Sequence, residues 1–180
     1  MIPAHLETER LTLRPFRDND ANAVFDYWRS DPGWERHNAS VPHDFSLGDA
    51  KDFVARMCAR DRAKQPHWAL IHNGVVSGVV SLSFEQDHGI AVIGYGVHGN
   101  IRGRGLTAEA ASTVIAAAFT HIAQLQRVRA HTSADNLPSM RVLEKLGFSH
   151  EGTLRKNVLV KGAFVDDVVY GLLRHEWRHR

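Results

Sequence analysis

The stretch "NIRGRGLTAEAA", residues 100–111, alternates arginine with glycine and then runs directly into an alanine-rich segment. Glycines let the backbone wrap closely around an anion, and arginine side chains pair well with phosphate. The N–H groups at the start of a helix point outward, and the helix dipole favours an anion beside them. The stretch therefore predicts a pyrophosphate-binding turn between a strand and a helix, with a basic turn that binds no ligand as the alternative.

Two other phosphate-binding motifs fit this stretch less well. A P-loop requires lysine after its last glycine, and here Leu106 follows Gly105. The dinucleotide fingerprint G-x-G-x-x-G/A is matched by Gly103, Gly105 and Ala108. That fingerprint also needs parallel strands and an acidic residue about 20 positions further on, and Asp135 lies too far along the chain. Binding of a dinucleotide such as NADH is therefore the weaker hypothesis.

The apolar periodicity around the stretch predicts strands and helices in a definite order. An alternating pattern predicts a strand in "ETERLTLRPF" (7–16). Two β runs joined by a hairpin turn at Asn73-Gly74 are predicted in "HWALIHNGVVSGVVSLSF" (67–84), and further strands in "IAVIGYGV" (90–97) and "RVRAHTS" (127–133). Further strands are expected around a turn at Lys161-Gly162. Three helical faces are predicted, namely Ala21/Val24/Phe25/Trp28, Ala50/Phe53/Val54/Met57 and Ala111/Ile115/Ala118/Ile122.

A fourth, short helix is predicted in "NLPSMRVLEKLG", residues 136–147, with Asn136 as its N-cap and Gly147 as its C-terminal glycine. Hairpins therefore come first, and strand–helix–strand–helix–strand follows. This order predicts an α/β (α+β) fold, in which a mixed sheet has helices packed on it.

Composition limits the class of protein. The chain has 180 residues, 43% of them hydrophobic, which fits a single domain over residues 1–180. It has no run of about 18 apolar residues and no apolar signal segment, so no membrane partner is expected. The net charge of +2 is too small to indicate nucleic acid. The lone cysteine, Cys58, is expected in the core or at its boundary and fits a reducing, cytoplasmic location.

Two stretches together resemble a known family. "GYGVHGNIRGRGLTAEAA" (94–111) followed by "DNLPSMRVLEKLGF" (135–148) resembles the GNAT superfamily of acetyl-CoA-dependent N-acetyltransferases, and most of all its RimJ/RimL branch. The opening "ETERLTLRPF" and the closing "EGTLRKNVLVKGAFVDDVVYGLLRHEW" (151–177) fit that branch as well. The resemblance implies a mostly antiparallel sheet of about seven strands with flanking helices and a splayed central strand pair. It also implies acetyl transfer from acetyl-CoA to a primary amine, by direct attack on the thioester and without a metal.

The resemblance assigns the acetyl-CoA contacts residue by residue. The family's pyrophosphate loop, R/Q-x-x-G-x-G/A, is matched by Arg102, Gly103, Arg104, Gly105, Leu106 and Thr107, where Thr107 replaces the usual small residue. The preceding strand implies backbone hydrogen bonds from Gly96, Val97 and His98 to the pantetheine arm or the acyl carbonyl. A backbone N–H there could stabilise the oxyanion of the tetrahedral intermediate.

The second stretch implies two further roles. Asn136 would hold acetyl-CoA, order the short helix, or do both. Ser139 would face the sulfur and hydrogen-bond the leaving thiolate. Many relatives carry a tyrosine four residues before the glycine of "GF", and here that position is Leu143, which makes Ser139 the catalytic candidate. A serine at a helix start with no catalytic role is the alternative.

The general base is missing from its usual positions. Many members of the branch place a glutamate two residues before the "GY" pair, and others place an acid after the "EG" pair. Here those positions are Val92 and Val158. An amine must lose a proton to attack a thioester, so another base or a water relay is needed. The candidates are Glu85, Asp87, His88, His98 and His131, and Asp166 is expected to support a turn.

The acceptor and the partners are less defined. Tyr27, Trp28, Trp34 and Phe45 could line an acceptor pocket, although aromatic residues more often pack in a core. The acceptor could be a protein N-terminus or a small-molecule amine, and the protein could be a monomer or a homodimer. A catalytically weak module that binds or senses acyl-CoA is the alternative function, because both usual acids are absent.

The C-terminal "HEWRH", residues 175–179, spells the zinc-binding motif H-E-x-x-H. A hydrolytic zinc site needs a third protein ligand, and the histidines show no other metal-ligand spacing. The motif is therefore expected to be coincidental.

Overall fold

Eight strands form one sheet in the computed structural model, which describes residues 1–30, 44–85, 89–160 and 162–178. The strands are β1 (Leu6–Glu7), β2 (Thr12–Arg14), β3 (His67–His72), β4 (Val75–Glu85), β5 (Ile90–Val97), β6 (Arg127–Ser133), β7 (Ser149–Val160) and β8 (Ala163–Leu173). The α-helices are α1 (Ala21–Arg29), α2 (Leu47–Ala59), α3 (Leu106–His121) and α4 (Leu137–Lys145). Trp34, Asp87, His88, Lys161 and His179 lie outside the described residues.

Local sequence signals set most of these elements. Asn73 and Gly74 have φ values of 51° and 79°, the left-handed pair that a two-residue hairpin turn requires, so the β3–β4 hairpin is confirmed. The Asn136 side chain accepts a hydrogen bond from the Ser139 N–H and caps α4 as expected. The sheet has eight strands rather than about seven, because the N-terminal stretch predicted as one strand holds the end of β1 and the whole of β2, which pair as a hairpin.

The sheet carries helices on both faces. Trp68 and Leu70 of β3 pack in the core cluster that includes the buried face of α3, whereas Ala69 and Ile71 pack in the cluster with α1 and α2. The alternation of a strand places neighbouring side chains on opposite faces. We call these the α3/α4 face and the α1/α2 face. No helix in the described ranges combines the length and apolarity that a membrane span requires.

The sheet opens between β5 and β6, the only parallel pair among the described strands. Their pairing ends at Ile93 and Ala130, although β5 continues to Val97 and β6 to Ser133. Residues 94–97 stay paired with β4, and residues 131–133 stay paired with β8. This separation, called the β5–β6 opening below, confirms the expected splayed strand pair. The antiparallel β3–β4–β5 meander contradicts the dinucleotide reading, which needs successive parallel crossovers.

A buried ion pair holds the start of α1. The Arg14 guanidinium donates to both carboxylate oxygens of Asp20 at 2.8 Å, and the Arg17 N–H donates to the same carboxylate. Asp20 is buried, and the hydrogen bond to it raises the pKa of Arg14 further. Cys58, expected in the core or at its boundary, is exposed on α2, because the core face of that helix is taken by Ala50, Val54 and Met57.

Candidate functional site

The predicted pyrophosphate turn lies where β5 passes into α3. A short 3-10 turn, Gly99–Ile101, leads into two glycines with left-handed backbone, Gly103 at φ 73° and Gly105 at φ 80°. Gly105 is the N-cap of α3, and no side chain caps the helix there. The first N–H groups of a helix have no partner within the helix, so those at the start of α3 are placed to bind an anion.

Basic side chains surround this turn. Arg102 and Arg104 are exposed, and a Cβ on Gly105 would lie 3.6 Å from an Arg10 guanidinium nitrogen and 4.0 Å from Lys145 Nζ. Arg10 and Lys145 come from the β1–β2 turn and the end of α4, regions that the sequence patterns did not connect to the turn. The loop therefore gathers positive charge from three separate parts of the chain.

Glu109 ties the N-terminal turn to α3. Its carboxylate accepts hydrogen bonds from Thr8 Oγ1 (2.5 Å), Arg10 N (2.9 Å) and Arg10 Nε (2.7 Å). Burial opposes ionisation, but these hydrogen bonds hold the pKa of Glu109 below its usual value. The Arg10 guanidinium also donates to the Arg104 carbonyl at 2.9 Å, so Arg10 fixes the shape of the turn.

The backbone N–H groups at the end of β5 point alternately toward β4 and toward the β5–β6 opening. The His98 N–H donates to the Ser77 carbonyl at 2.8 Å, and β4 and β5 pair antiparallel up to Gly78 and Val97. In an antiparallel pair the bonded residues alternate, so Gly96 and His98 point their N–H groups at β4. Of the three predicted backbone contacts, only Val97 turns its N–H toward the β5–β6 opening.

The His98 side chain stabilises the turn. Its Nδ1 accepts a hydrogen bond from the Asn100 N–H at 3.1 Å, and Ser30 Oγ lies 3.4 Å from the same nitrogen. The ring stacks on Tyr27 of α1 with centroids 6.1 Å apart. His98 therefore links α1 to the start of the loop.

Ser139 has a hydroxyl partner that the sequence patterns did not suggest. The Tyr95 hydroxyl lies 3.1 Å from Ser139 Oγ and donates to the Ser139 carbonyl at 3.3 Å. Tyr95 points from β5 to the α3/α4 face, in line with Ile93 and Val97 of the core. Burial raises the pKa of Tyr95 to about 12, against the opposing effect of its hydrogen bond with Ser139. The tyrosine is therefore protonated at neutral pH.

Comparison with known proteins decides the family. Residues 10–149 match the model of the Acetyltransferase (GNAT) domain. The chain belongs to the GNAT acetyltransferase family. It is an N-acetyltransferase that uses acetyl-CoA as acyl donor. It is 31% identical to "Uncharacterized N-acetyltransferase p20" of Bacillus licheniformis over 96% of this chain and 97% of that protein. It is 43% identical to "Probable N-acetyltransferase YjcK" of Bacillus subtilis over 93% of this chain and 96% of that protein.

Solved structures share this acetyltransferase fold. A GNAT acetyltransferase from Bacillus anthracis is 26% identical with a TM-score of 0.83, covering 96% of this chain and 99% of that one. The microcin C7 self-immunity acetyltransferase MccE, solved with acetyl-CoA and AMP, is 20% identical with a TM-score of 0.85, covering 95% and 97%. Mycobacterium smegmatis RimJ, solved with CoA-disulfide, is 23% identical with a TM-score of 0.84, covering 94% and 84%. The last two likenesses show the fold alone.

Valines occupy the two positions at which the resemblance leads us to expect an acidic general base. Val92 is half-buried on β5 opposite Ser83, and Val158 lies on β7 opposite Val165. Of the alternative bases, Glu85 is paired with Arg129. His131 Nδ1 lies 3.0 Å from Asp167 Oδ2.

Asp166 supports an irregularity within β7 rather than the expected turn. Its carboxylate accepts a hydrogen bond from the Lys156 N–H at 2.8 Å. Lys156 has φ 49° and lies within the β7 irregularity between Leu154 and Val158. Asp166 therefore holds a local backbone conformation that a non-glycine residue seldom adopts.

The N-terminal aromatic residues pack mainly against one another. Tyr27 and Trp28 are buried, and the Phe45 ring lies 3.8 Å from the Trp28 ring, measured between centroids. Tyr27 touches the site through its stacking on His98. The three described aromatic residues therefore belong to a core between α1 and α2.

The zinc motif lacks the helix that it needs. Residues Arg174–Glu176 form a single 3-10 turn, and Trp177 is already extended. The Glu176 carboxylate accepts a hydrogen bond from the Leu173 N–H at 2.9 Å. Within the described ranges, no group of three His, Cys, Asp or Glu side chains is placed to hold a metal.

Proposed function

We propose that this acetyltransferase brings an amine and the thioester of acetyl-CoA together within the β5–β6 opening, and that the amine attacks the thioester directly. The observation that carries the proposal is the opening itself, which has the glycine–arginine turn at the end of β5 and the Tyr95–Ser139 pair on the α3/α4 face. Acetyl transfer then joins the amine nitrogen to the acetyl carbon and breaks the carbon–sulfur bond.

The turn would hold the pyrophosphate of acetyl-CoA. Gly103 and Gly105 adopt the left-handed conformation that turns successive N–H groups toward one anion, and Thr107 adds a hydroxyl in the first turn of α3. Arg102 and Arg104 would add charge, and Leu106 is buried, so it anchors the start of the helix. Asn136 would act through α4, whose first turn it caps.

The opening would orient the reacting groups. The Val97 N–H points away from β4 and would donate to the acyl carbonyl, where a donor stabilises the developing oxyanion. Ser139 would donate to the leaving thiolate, and Tyr95 would donate to Ser139. A hydroxyl donor matters more as negative charge builds on sulfur, so the pair would favour the transition state.

The acceptor is a primary amine, either a protein N-terminus or a small molecule in the cytoplasm. The resemblance of the sequence to the RimJ/RimL branch, the ribosomal-protein N-terminal acetyltransferase type, supports a protein N-terminus. The test is CoA release, followed with a thiol reagent, over a panel of peptides with N-terminal Ala, Ser or Met, free amino acids, polyamines and aminoglycosides. Release with one class of amine supports the proposal and names the acceptor, and acetyl-CoA binding without release would contradict it.

The second candidate function is a module that binds acyl-CoA without turnover. Val92 and Val158 at the two usual acid positions favour it. Tight binding of acetyl-CoA in calorimetry with no release across the whole panel would support this function. Release that falls sharply in Ser139→Ala, with binding of acetyl-CoA unchanged, would exclude it.

A further inference from the structure

We propose that His131 is the general base of this acetyltransferase and that Asp167 is its positioning residue. The proposal rests on the proposed function, acetyl transfer within the β5–β6 opening. His131 would take the role of the acids that are absent at Val92 and Val158.

His131 lies at the place where the opening begins. The last parallel pair joins Ile93 and Ala130, so continued pairing would have placed His131 beside Gly94. Gly94 has no side chain, and Gly96 follows it on the same face of β5. The space next to His131 is therefore bordered by two glycines, which leaves room for an incoming amine.

His131 and Ser139 act from opposite faces of the sheet. Val128 and Ala130 of β6 belong to the core that includes α3, so alternation turns Arg129 and His131 to the α1/α2 face. The Tyr95–Ser139 pair lies on the α3/α4 face. A thioester in the opening would have a thiolate donor on one side and a base on the other, which is the arrangement that amine attack requires.

Asp167 sets the proton positions of the imidazole. Its carboxylate is buried, with 4% of the residue exposed, and it accepts a hydrogen bond from Asn157 Nδ2 at 3.1 Å. A carboxylate only accepts hydrogen bonds, so the Nδ1 of His131, 3.0 Å away, carries its proton and donates it. The neutral ring then has a lone pair on Nε2, as in the histidine of a serine-protease triad. With 37% of the His131 side chain exposed, the ring is accessible to a substrate.

The other described candidates lack this arrangement. His98 Nδ1 already accepts a hydrogen bond from the Asn100 N–H, so its proton sits on Nε2 and neither nitrogen is free to accept. Glu85 is engaged by the Arg129 guanidinium. Charged groups that share the face with His131 include Asp167 on β8, the Glu85–Arg129 pair on β4 and β6, and the Arg127–Glu151 pair on β6 and β7.

The proton balance of the step is complete without a further reactant. The amine nitrogen forms a bond to the acetyl carbon while one of its protons passes to His131 Nε2. The carbon–sulfur bond breaks, the electron pair stays on sulfur, and the thiolate takes up a proton from solvent. His131 then returns its proton to solvent, which gives an amide and CoA.

The test compares His131→Gln with the matched control His121→Gln, whose histidine is exposed at the end of α3. Acetyl-CoA and the panel amine with the highest turnover are the substrates, and calorimetry follows acetyl-CoA binding. His131→Gln is expected to lose about 10²- to 10⁴-fold in kcat with unchanged acetyl-CoA affinity, and to lose the acidic limb of the pH–rate profile. The control is expected to keep the wild-type kcat and pH–rate profile. Added imidazole is expected to restore part of the activity of His131→Ala.

A second measurement needs no acceptor. Nitrogen-15 NMR of the histidines, with His131 assigned from the signal that His131→Gln lacks, is expected to show the Nδ1–H tautomer, and in Asp167→Asn that preference is expected to disappear. An Nε2–H tautomer in the wild type, or a His131→Gln variant with kcat within threefold of wild type and an unchanged pH profile, would overturn the proposal. A wild-type protein that turns over no panel amine would instead contradict the proposed function, so the two failures are distinguishable.

Discussion

Replacing Gly105 by alanine tests the pyrophosphate turn with little other disturbance. Gly105 has φ 80°, and the nearest atoms to a new Cβ would be an Arg10 nitrogen at 3.6 Å and Lys145 Nζ at 4.0 Å. These are ordinary contacts, so the methyl group has room and only the backbone conformation is penalised. An L-residue in the left-handed region costs roughly 1–2 kcal/mol.

That strain predicts weaker binding of acetyl-CoA by Gly105→Ala. If the turn relaxes in the free protein, the strain must be restored when the pyrophosphate binds, and 1–2 kcal/mol corresponds to roughly 5- to 30-fold in Kd. Calorimetric titration with acetyl-CoA measures this change directly. CoA without the acetyl group should lose affinity by the same factor, because the turn contacts only the part that both molecules share.

Gly162→Ala is the matched control. Gly162 also has φ 80°, nothing lies within 4 Å of its new Cβ, and it sits in the turn between β7 and β8. Gly162→Ala should lower the unfolding free energy in urea by roughly 1–2 kcal/mol and leave acetyl-CoA affinity unchanged, whereas Gly105→Ala should bind acetyl-CoA more weakly. Equal affinity in the two variants would refute the assignment of the turn.

Three further results are expected. Asp20→Ala should lower the unfolding free energy by about 3–5 kcal/mol in urea, because it leaves the buried Arg14 guanidinium without its carboxylate, and a loss below about 1 kcal/mol would contradict that. Burial lowers the pKa of His67, so the unfolded chain takes up a proton first, and stability should fall by at most about 1.4 kcal/mol per pH unit below about pH 6.5. This slope should be smaller in His67→Gln, and an equal slope in urea titrations would exclude His67 as its source. Ser139→Ala should lower kcat by roughly 10- to 150-fold, the value of a hydrogen bond to a charged group, and adding Tyr95→Phe should lower it no further, whereas additive losses would show that the two hydroxyls act separately.

Local chemistry made much of the fold predictable. The Asn73-Gly74 turn and the Asn136 cap each depend on neighbouring residues, and both are confirmed. The buried face of α2 follows from an apolar periodicity that a short window contains. The family resemblance supplied the splayed strand pair, which no local pattern encodes.

Contacts between distant residues escaped prediction. Tyr95 and Ser139 are 44 positions apart, His131 and Asp167 are 36 apart, and Arg10 meets Glu109 across 99 positions. Each pairing depends on strand order and register, which the separate patterns do not contain. Cys58 was misplaced although the predicted apolar face of α2 does not include it.

The β5–β6 opening is tested most directly by a crystal structure of the protein with acetyl-CoA bound. We expect the pyrophosphate on the N–H groups of residues 103–107, the thioester carbonyl near the Val97 N–H, and the sulfur within hydrogen-bond reach of Ser139 Oγ. We also expect His131 Nε2 to face the acetyl carbon from the α1/α2 face. Acetyl-CoA bound outside the opening, or with its sulfur remote from both Ser139 and His131, would contradict the site.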